Sequence, residues 1–167
     1  MPTEFGVPAT TRKVTSPAKL GIHGGSQGGL LVGATMLQRP ELFGAVVSTV
    51  PLLDMKRYDK LPPGASWMGE YGDPDKAEDW AFISKYSPYQ NVRPNLKYPK
   101  VLFTTTTRDD RVHPGHARKM AAKMESMGYP FYYFENTEGG HGSGVTSEQQ
   151  ARTIAITYSY LWQQLGK

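Results

Sequence analysis

KLGIHGGSQGGLLVGATMLQRPELFG, residues 19–44, joins a short apolar run to a helix-like run through GGSQGG. Lys19 to His23 reads as a short buried strand. Gly28 to Gln38 reads as a helix rich in Leu, Val, Ala and Met, ended by Pro40. Between them, Gly24-x-Ser26-x-Gly28 fits a sharp turn that projects a serine from the end of a sheet. That pattern has meaning only between a strand and a helix. Glycines permit strained dihedrals there and let neighbouring backbone approach. The plainer alternative is a glycine-rich turn with a chance serine, so the rest of the chain has to decide.

Working outward, residues 1–16 are polar, carry two prolines and read as an arm before a single domain over 17–167. Leu42 to Val50, LFGAVVSTV, is apolar and β-branched, as in a strand buried on both faces. The following stretch to Pro99 is rich in Pro, Gly and aromatics. It predicts loops with one short helix near Lys76 to Tyr86. Lys100 to Thr107 is a third strand, and PGHARKMAAKMESMG a helix with Pro114 near its start and Gly128 as its stop. PFYYFENT is a fourth strand and EGGHGSG a glycine-rich loop. The final helix runs from SEQQ onward, with Ser147 as its expected cap. Strands alternating with helices predict an α/β fold, a mostly parallel sheet flanked by helices.

Ligands in such sheets bind beyond the carboxyl ends of the strands. Ser26 follows the first strand, RDDRVH the third, and His141 in EGGHGSG the fourth. The order Ser, Asp, His is that of the α/β-hydrolase triad. A serine hydroxyl needs a base within hydrogen-bond reach, and the histidine needs an anion to fix its tautomer and stabilise the imidazolium. Ser26 is therefore the expected nucleophile and His141 the base. Asp109 and Asp110 compete for the carboxylate, and spacing does not choose. His23, His113 and His116 are rival bases, but none follows the last strand. The backbone N–H of Gln27, at a helix start, is the natural donor to an oxyanion.

Composition narrows the classes. The chain has 167 residues, 38% hydrophobic and 20% charged, with net charge +4 and no cysteine. That suits one globular core and excludes disulfides, thiol catalysis and thiolate metal sites. Basic residues are scattered, so no nucleic-acid partner is expected, and no apolar run suggests a membrane span or signal peptide. A cytoplasmic protein without cofactor or metal is expected. His113 and His116 could bind a metal only weakly, with no further ligands apparent.

TSPAKLGIHGGSQGGLLVGA, QRPELFGAVVSTVPLLDM, GASWMGEYGDP, KYSPYQNV, YPKVLFTTTTRDDRVHPGHARKMAAKM and ENTEGGHG together resemble the catalytic α/β-hydrolase domain of the prolyl oligopeptidase family of serine peptidases. The likeness runs from about Thr15 over nearly the whole chain. It implies Asp109 rather than Asp110 as the catalytic carboxylate, and Arg111 as binding a substrate main-chain carbonyl. It also implies Trp67 stacking on a substrate proline, with Tyr71 lining the same pocket. An aromatic face suits a flat, apolar ring. Core packing for Trp67 and Tyr71, and an Arg111–Asp110 ion pair, are the alternatives.

The sequence departs from the family by starting just before the elbow. It has no β-propeller, no earlier strands and no upstream tyrosine to give a second oxyanion donor, so the expected fold is a truncated α/β-hydrolase. The elbow strand would then present Leu20 and Ile22 on an open edge, which predicts a homo-oligomer unless the arm covers it. Losing an oxyanion donor costs roughly a hundred- to a thousand-fold in rate. The expected activity is an esterase on short acyl esters with weak or no prolyl peptidase activity. The alternatives are a post-proline peptidase completed by oligomerisation, and an inactive remnant serving as an assembly or binding module.

Overall fold

The computed structural model describes residues 6–142 and 144–166. Strands β1 (Gly21–Gly25), β2 (Ala45–Thr49), β3 (Val101–Thr106) and β4 (Phe131–Asn136) pair in parallel, in the order β1-β2-β3-β4. Side chains alternate across the sheet. Val46, Val101 and Phe103 enter a core with Val32 and Met36 of helix α2 (Gln27–Gln38) and Met120 and Met124 of helix α6 (Gly115–Ser126). Ala45, Val47 and Leu102 meet Tyr160 of helix α7 (Ser147–Leu165) on the opposite face. The unbroken apolar runs of β2 and β3 follow from this, because both faces are covered. The Tyr160 hydroxyl donates to Lys100 O at 2.6 Å and accepts from Val46 N–H at 2.9 Å, pinning α7 across the sheet.

The connection from β2 to β3 holds more structure than the sequence predicts. Besides α4 (Ala77–Ile83), near the expected helix, it carries α3 (Met68–Tyr71), α5 (Pro88–Asn91) and 3₁₀ turns at Tyr58–Lys60 and Gly64–Trp67. Such pieces are too short to show a hydrophobic period. In the expected arm, Gly6–Thr11 forms a helix, α1, while residues 1–5 lie outside the described residues. The cap of α7 also differs from expectation. Thr146, not Ser147, accepts from Gln149 N–H at 3.2 Å, and the Gln149 side chain accepts in return from the Thr146 amide. A capping box needs Glu or Gln three residues after the cap; Gln149 and Gln150 give that spacing to Thr146 and Ser147 alike, and the fold places Thr146 at the helix start.

Among the described residues no strand lies on the far side of β1, so β1 is a sheet edge. Leu20 and Ile22 are nevertheless half-buried against the α2–α6 core rather than laid bare. Strand side chains point to the faces of a sheet, so an open edge exposes backbone. Helix α7 instead exposes Ile154, Tyr158 and Trp162, four residues apart.

Beneath the strand ends lies a polar cluster. Asp54 is buried and paired with Lys119, accepts from Gln90 Nε2 at 2.7 Å, and lies 3.4 Å from Arg57. Its backbone N–H donates to His116 Nδ1 at 3.0 Å. His116 is 1% exposed, and burial pushes its pKa down to about 4, with Asp54 opposing and Lys119 reinforcing the shift. The unfolded chain takes up this proton below about pH 6.5 and the folded chain only near pH 4. Stability is therefore fully present above pH 6.5 and is lost as pH falls through that window, by about 3 kcal/mol. Urea unfolding at pH 7 and pH 4.5 checks this, with the slope expected to flatten in His116→Gln.

Candidate active site

Ser26 stands between β1 and α2 at φ 60°, ψ −118°. A side-chain-bearing residue adopts this strained backbone at a cost of about 1–3 kcal/mol, and only where its surroundings hold it there. Here Ser26 N–H donates to Thr49 O of β2 at 2.9 Å, and Ser26 O accepts from Gly29 N–H at 2.9 Å and Leu30 N–H at 3.2 Å. Two glycines make the turn sterically feasible. A Cβ on Gly24 would lie 2.1 Å from Gly28 O, and one on Gly29 would lie 2.7 Å from Pro51 Cβ. Gln27 opens α2, and its N–H has no backbone acceptor among the described residues. It is one of the free amides at a helix start, where the dipole favours negative charge.

Asp109 lies just past β3, with its side chain fully buried. Its Oδ1 accepts from the amides of Arg111 and Val112, each at 2.9 Å. Its carboxylate also meets His141 Nδ1, 2.9 Å from Oδ2 and 3.0 Å from Oδ1. A carboxylate only accepts, so Nδ1 is the donor, and in the neutral ring the lone pair is then on Nε2. Asp110, the rival, is exposed and makes no bond to the ring. The His141 loop is tied to β3 through Thr106 Oγ1, which donates to Gly140 O at 2.8 Å. Nearby, Glu135 of β4 binds Arg118 of α6 and accepts from Thr107 Oγ1 at 2.6 Å; the Arg118 guanidinium leads in holding its pKa down to about 2. Among the described residues no hydrogen bond joins Ser26 Oγ to the imidazole. Such bonds often tighten only when substrate arrives.

The rival histidines are occupied elsewhere. His23 Nε2 faces Thr49 Oγ1 at 3.2 Å, beside a cavity of about 430 Å³ that Gly142 and Tyr158 also line. His113 Nδ1 accepts from Gly115 N–H at 3.0 Å, and His116 Nδ1 is committed to Asp54. Among the described residues, no three His, Asp or Glu side chains are grouped so as to hold a metal.

Trp67 and Tyr71 are half-buried against Leu30 of α2 and Val112, in a cluster completed by Leu52, Met55, Tyr58 and Ile83. Leu30 lies one turn beyond Ser26 and Val112 three residues beyond Asp109, so this aromatic wall adjoins the elbow. Tyr71 meets Tyr58 edge-on at 5.6 Å, and burial pushes its pKa up to about 12. Arg111 is exposed, and its guanidinium makes no ion pair among the described residues, with Asp110 or any other acid. One contact has no counterpart in the sequence reading. Gln27 Nε2 donates to Glu70 Oε1 at 3.0 Å, across 43 residues. Local spacing carries no signal of such a pair.

A model of the prolyl oligopeptidase family matches residues 8–167. An uncharacterized peptidase of Sinorhizobium fredii is 53% identical over 154 residues, which is 92% of this chain and 21% of that protein. The prolyl endopeptidase of Elizabethkingia meningoseptica is 36% identical over 156 residues, 91% of this chain and 22% of its own length. Among solved structures, a post-proline cleaving enzyme from Rickettsia typhi superposes with a TM-score of 0.94 at 42% identity, over 97% of this chain and 24% of that one. The chain thus spans about a fifth of the length of the curated relatives it matches.

Proposed function

The chain belongs to the prolyl oligopeptidase family, and from that membership we propose that it carries a serine hydrolase centre of Ser26, His141 and Asp109. The observation that supports this best is the hydrogen bond from His141 to the buried Asp109, at the same end of the sheet as the strained serine. Ser26 Oγ attacks the acyl carbon and His141 Nε2 takes the hydroxyl proton. Asp109 stabilises the imidazolium, and Gln27 N–H donates to the oxyanion. As the tetrahedral adduct collapses, His141 returns the proton to the leaving group and an acyl-serine remains. Water, deprotonated by the same histidine, then releases the acid and restores Ser26.

With Gln27 N–H as the oxyanion donor these residues supply, short activated acyl esters are the substrates turned over most readily. A second reading, cleavage after proline, is favoured by the aromatic wall of Trp67 and Tyr71 and by the names of the relatives. In it, Trp67 stacks on the proline ring and Arg111 donates to a substrate carbonyl. The test is labelling by a fluorophosphonate probe, followed by rates on a p-nitrophenyl ester and on a proline-ending anilide. Labelling with faster ester turnover is expected. A folded protein that resists the probe would leave only a binding or assembly role.

We further propose that a second copy pairs on the open edge of β1, beside the exposed Ile154, Tyr158 and Trp162 of α7. Light scattering on the purified chain is expected to give a mass above that of one copy, falling in Tyr158→Lys/Trp162→Glu. A clean monomer overturns the idea. No helix among the described residues is long and apolar enough to cross a membrane.

A further inference from the structure

We propose that Gln27 has two duties: its backbone N–H faces the oxyanion, while its side-chain amide, through Glu70, holds the aromatic wall in register with the elbow. The inference rests on the reading of Ser26 as nucleophile and of Trp67 and Tyr71 as lining the site for a proline-like group.

The segment Gly64–Tyr71 is short, and it consists of a 3₁₀ turn followed by a single turn of helix. Its far side is well anchored. Gly64 packs against the Tyr58 backbone so tightly that a Cβ would fall 1.8 Å from Tyr58 O. The Tyr58 hydroxyl donates to Gly72 O, and Asp73 N–H donates to Asp79 Oδ2 at 2.7 Å. Those bonds fix the segment to its own loop and leave its position relative to Ser26 open. On the elbow side the apolar contacts with Leu30 and Val112 resist separation but set no direction. Among the described residues, the Gln27–Glu70 bond is the one hydrogen bond between this segment and α2. Both side chains are exposed, so the bond acts by its direction more than by its strength. It starts from the residue next to the nucleophile and ends between Met68 and Tyr71. The distance from a bound ring to the reacting carbonyl is therefore set by two neighbouring residues at each end.

Glu70 is accordingly a positioning residue for ring recognition. The test is binding of N-acetyl-Gly-Pro to the full chain by titration calorimetry, with fluorophosphonate labelling measured in parallel. Losing a bond of this kind is worth roughly 3–10-fold in affinity. Glu70→Ala and Gln27→Ala are each expected to raise Kd by about that factor. The double variant is expected to be no weaker than either single one, because both remove the same bond. Glu70→Gln keeps an acceptor oxygen and is expected to restore most of the affinity. On substrate, the loss in Glu70→Ala is expected in KM rather than kcat.

Additive losses, unchanged Kd values, or no rescue by Glu70→Gln overturn the proposal. So does a parent that does not bind the dipeptide. The two readings fail separately. Weakened, non-additive binding in a protein that the probe does not label leaves the strut standing and sinks the nucleophile. Labelling without the binding pattern does the reverse.

Discussion

Ser26→Ala is expected to abolish fluorophosphonate labelling and to lower ester hydrolysis by a factor on the order of 10⁴–10⁶, with the fold intact. His141→Ala is expected to do the same, and the double variant no worse than either. The size follows from the chemistry. Without the hydroxyl there is no covalent route, and without the imidazole the hydroxyl is a poor nucleophile at neutral pH. Groups that act as a unit lose nearly everything when one is removed, so their losses do not add. Ser26→Ala also removes only a half-buried oxygen that makes no hydrogen bond among the described residues, while the backbone bonds to Thr49, Gly29 and Leu30 remain. Circular dichroism and thermal melts should therefore stay close to the parent. Ser26→Ala retaining full esterase activity would place the chemistry elsewhere.

The second large effect is expected at Asp109. Asp109→Asn should lower kcat by about 10⁴-fold. In the parent the carboxylate receives Nδ1–H of His141 together with the amides of Arg111 and Val112. The asparagine can still use its carbonyl oxygen for the two backbone amides, which pulls that oxygen toward the turn. Its NH₂ then faces Nδ1 and demands an acceptor there. The ring answers by moving its proton to Nε2, the atom that must take the serine proton. Activity should recover partly at high pH, where the serine can ionise without help. Asp110→Asn, one residue on, is expected to change the rate by no more than about 2-fold, because its exposed carboxylate lies near Gly140 but makes no bond to the His141 ring. Equal losses at the two positions would show that the exposed aspartate, or neither, serves the histidine.

How far the sequence reaches is visible in these two residues. Its reading left Asp109 and Asp110 open, and only likeness to a family favoured the first. Both follow the same strand, and neighbouring residues in a turn point in different directions. Tertiary structure buries Asp109 under its own turn and brings a loop from β4 over it.

The same division runs through the molecule. The sequence by itself determined the alternation of strands and helices, the glycine turn at Ser26, and the order Ser26, Asp109, His141 at the strand ends. Those features are local: a hydrophobic period, a helix stop or a residue without a side chain acts within a few positions. Only the tertiary structure decided that Leu20 and Ile22 turn into the core while α7 exposes Tyr158 and Trp162. It alone decided that His116 is buried against Asp54, and that Gln27 reaches Glu70. Those are meetings between segments 43 to 62 residues apart. They depend on how the sheet, its helices and the β2–β3 connection pack together, which no local pattern encodes.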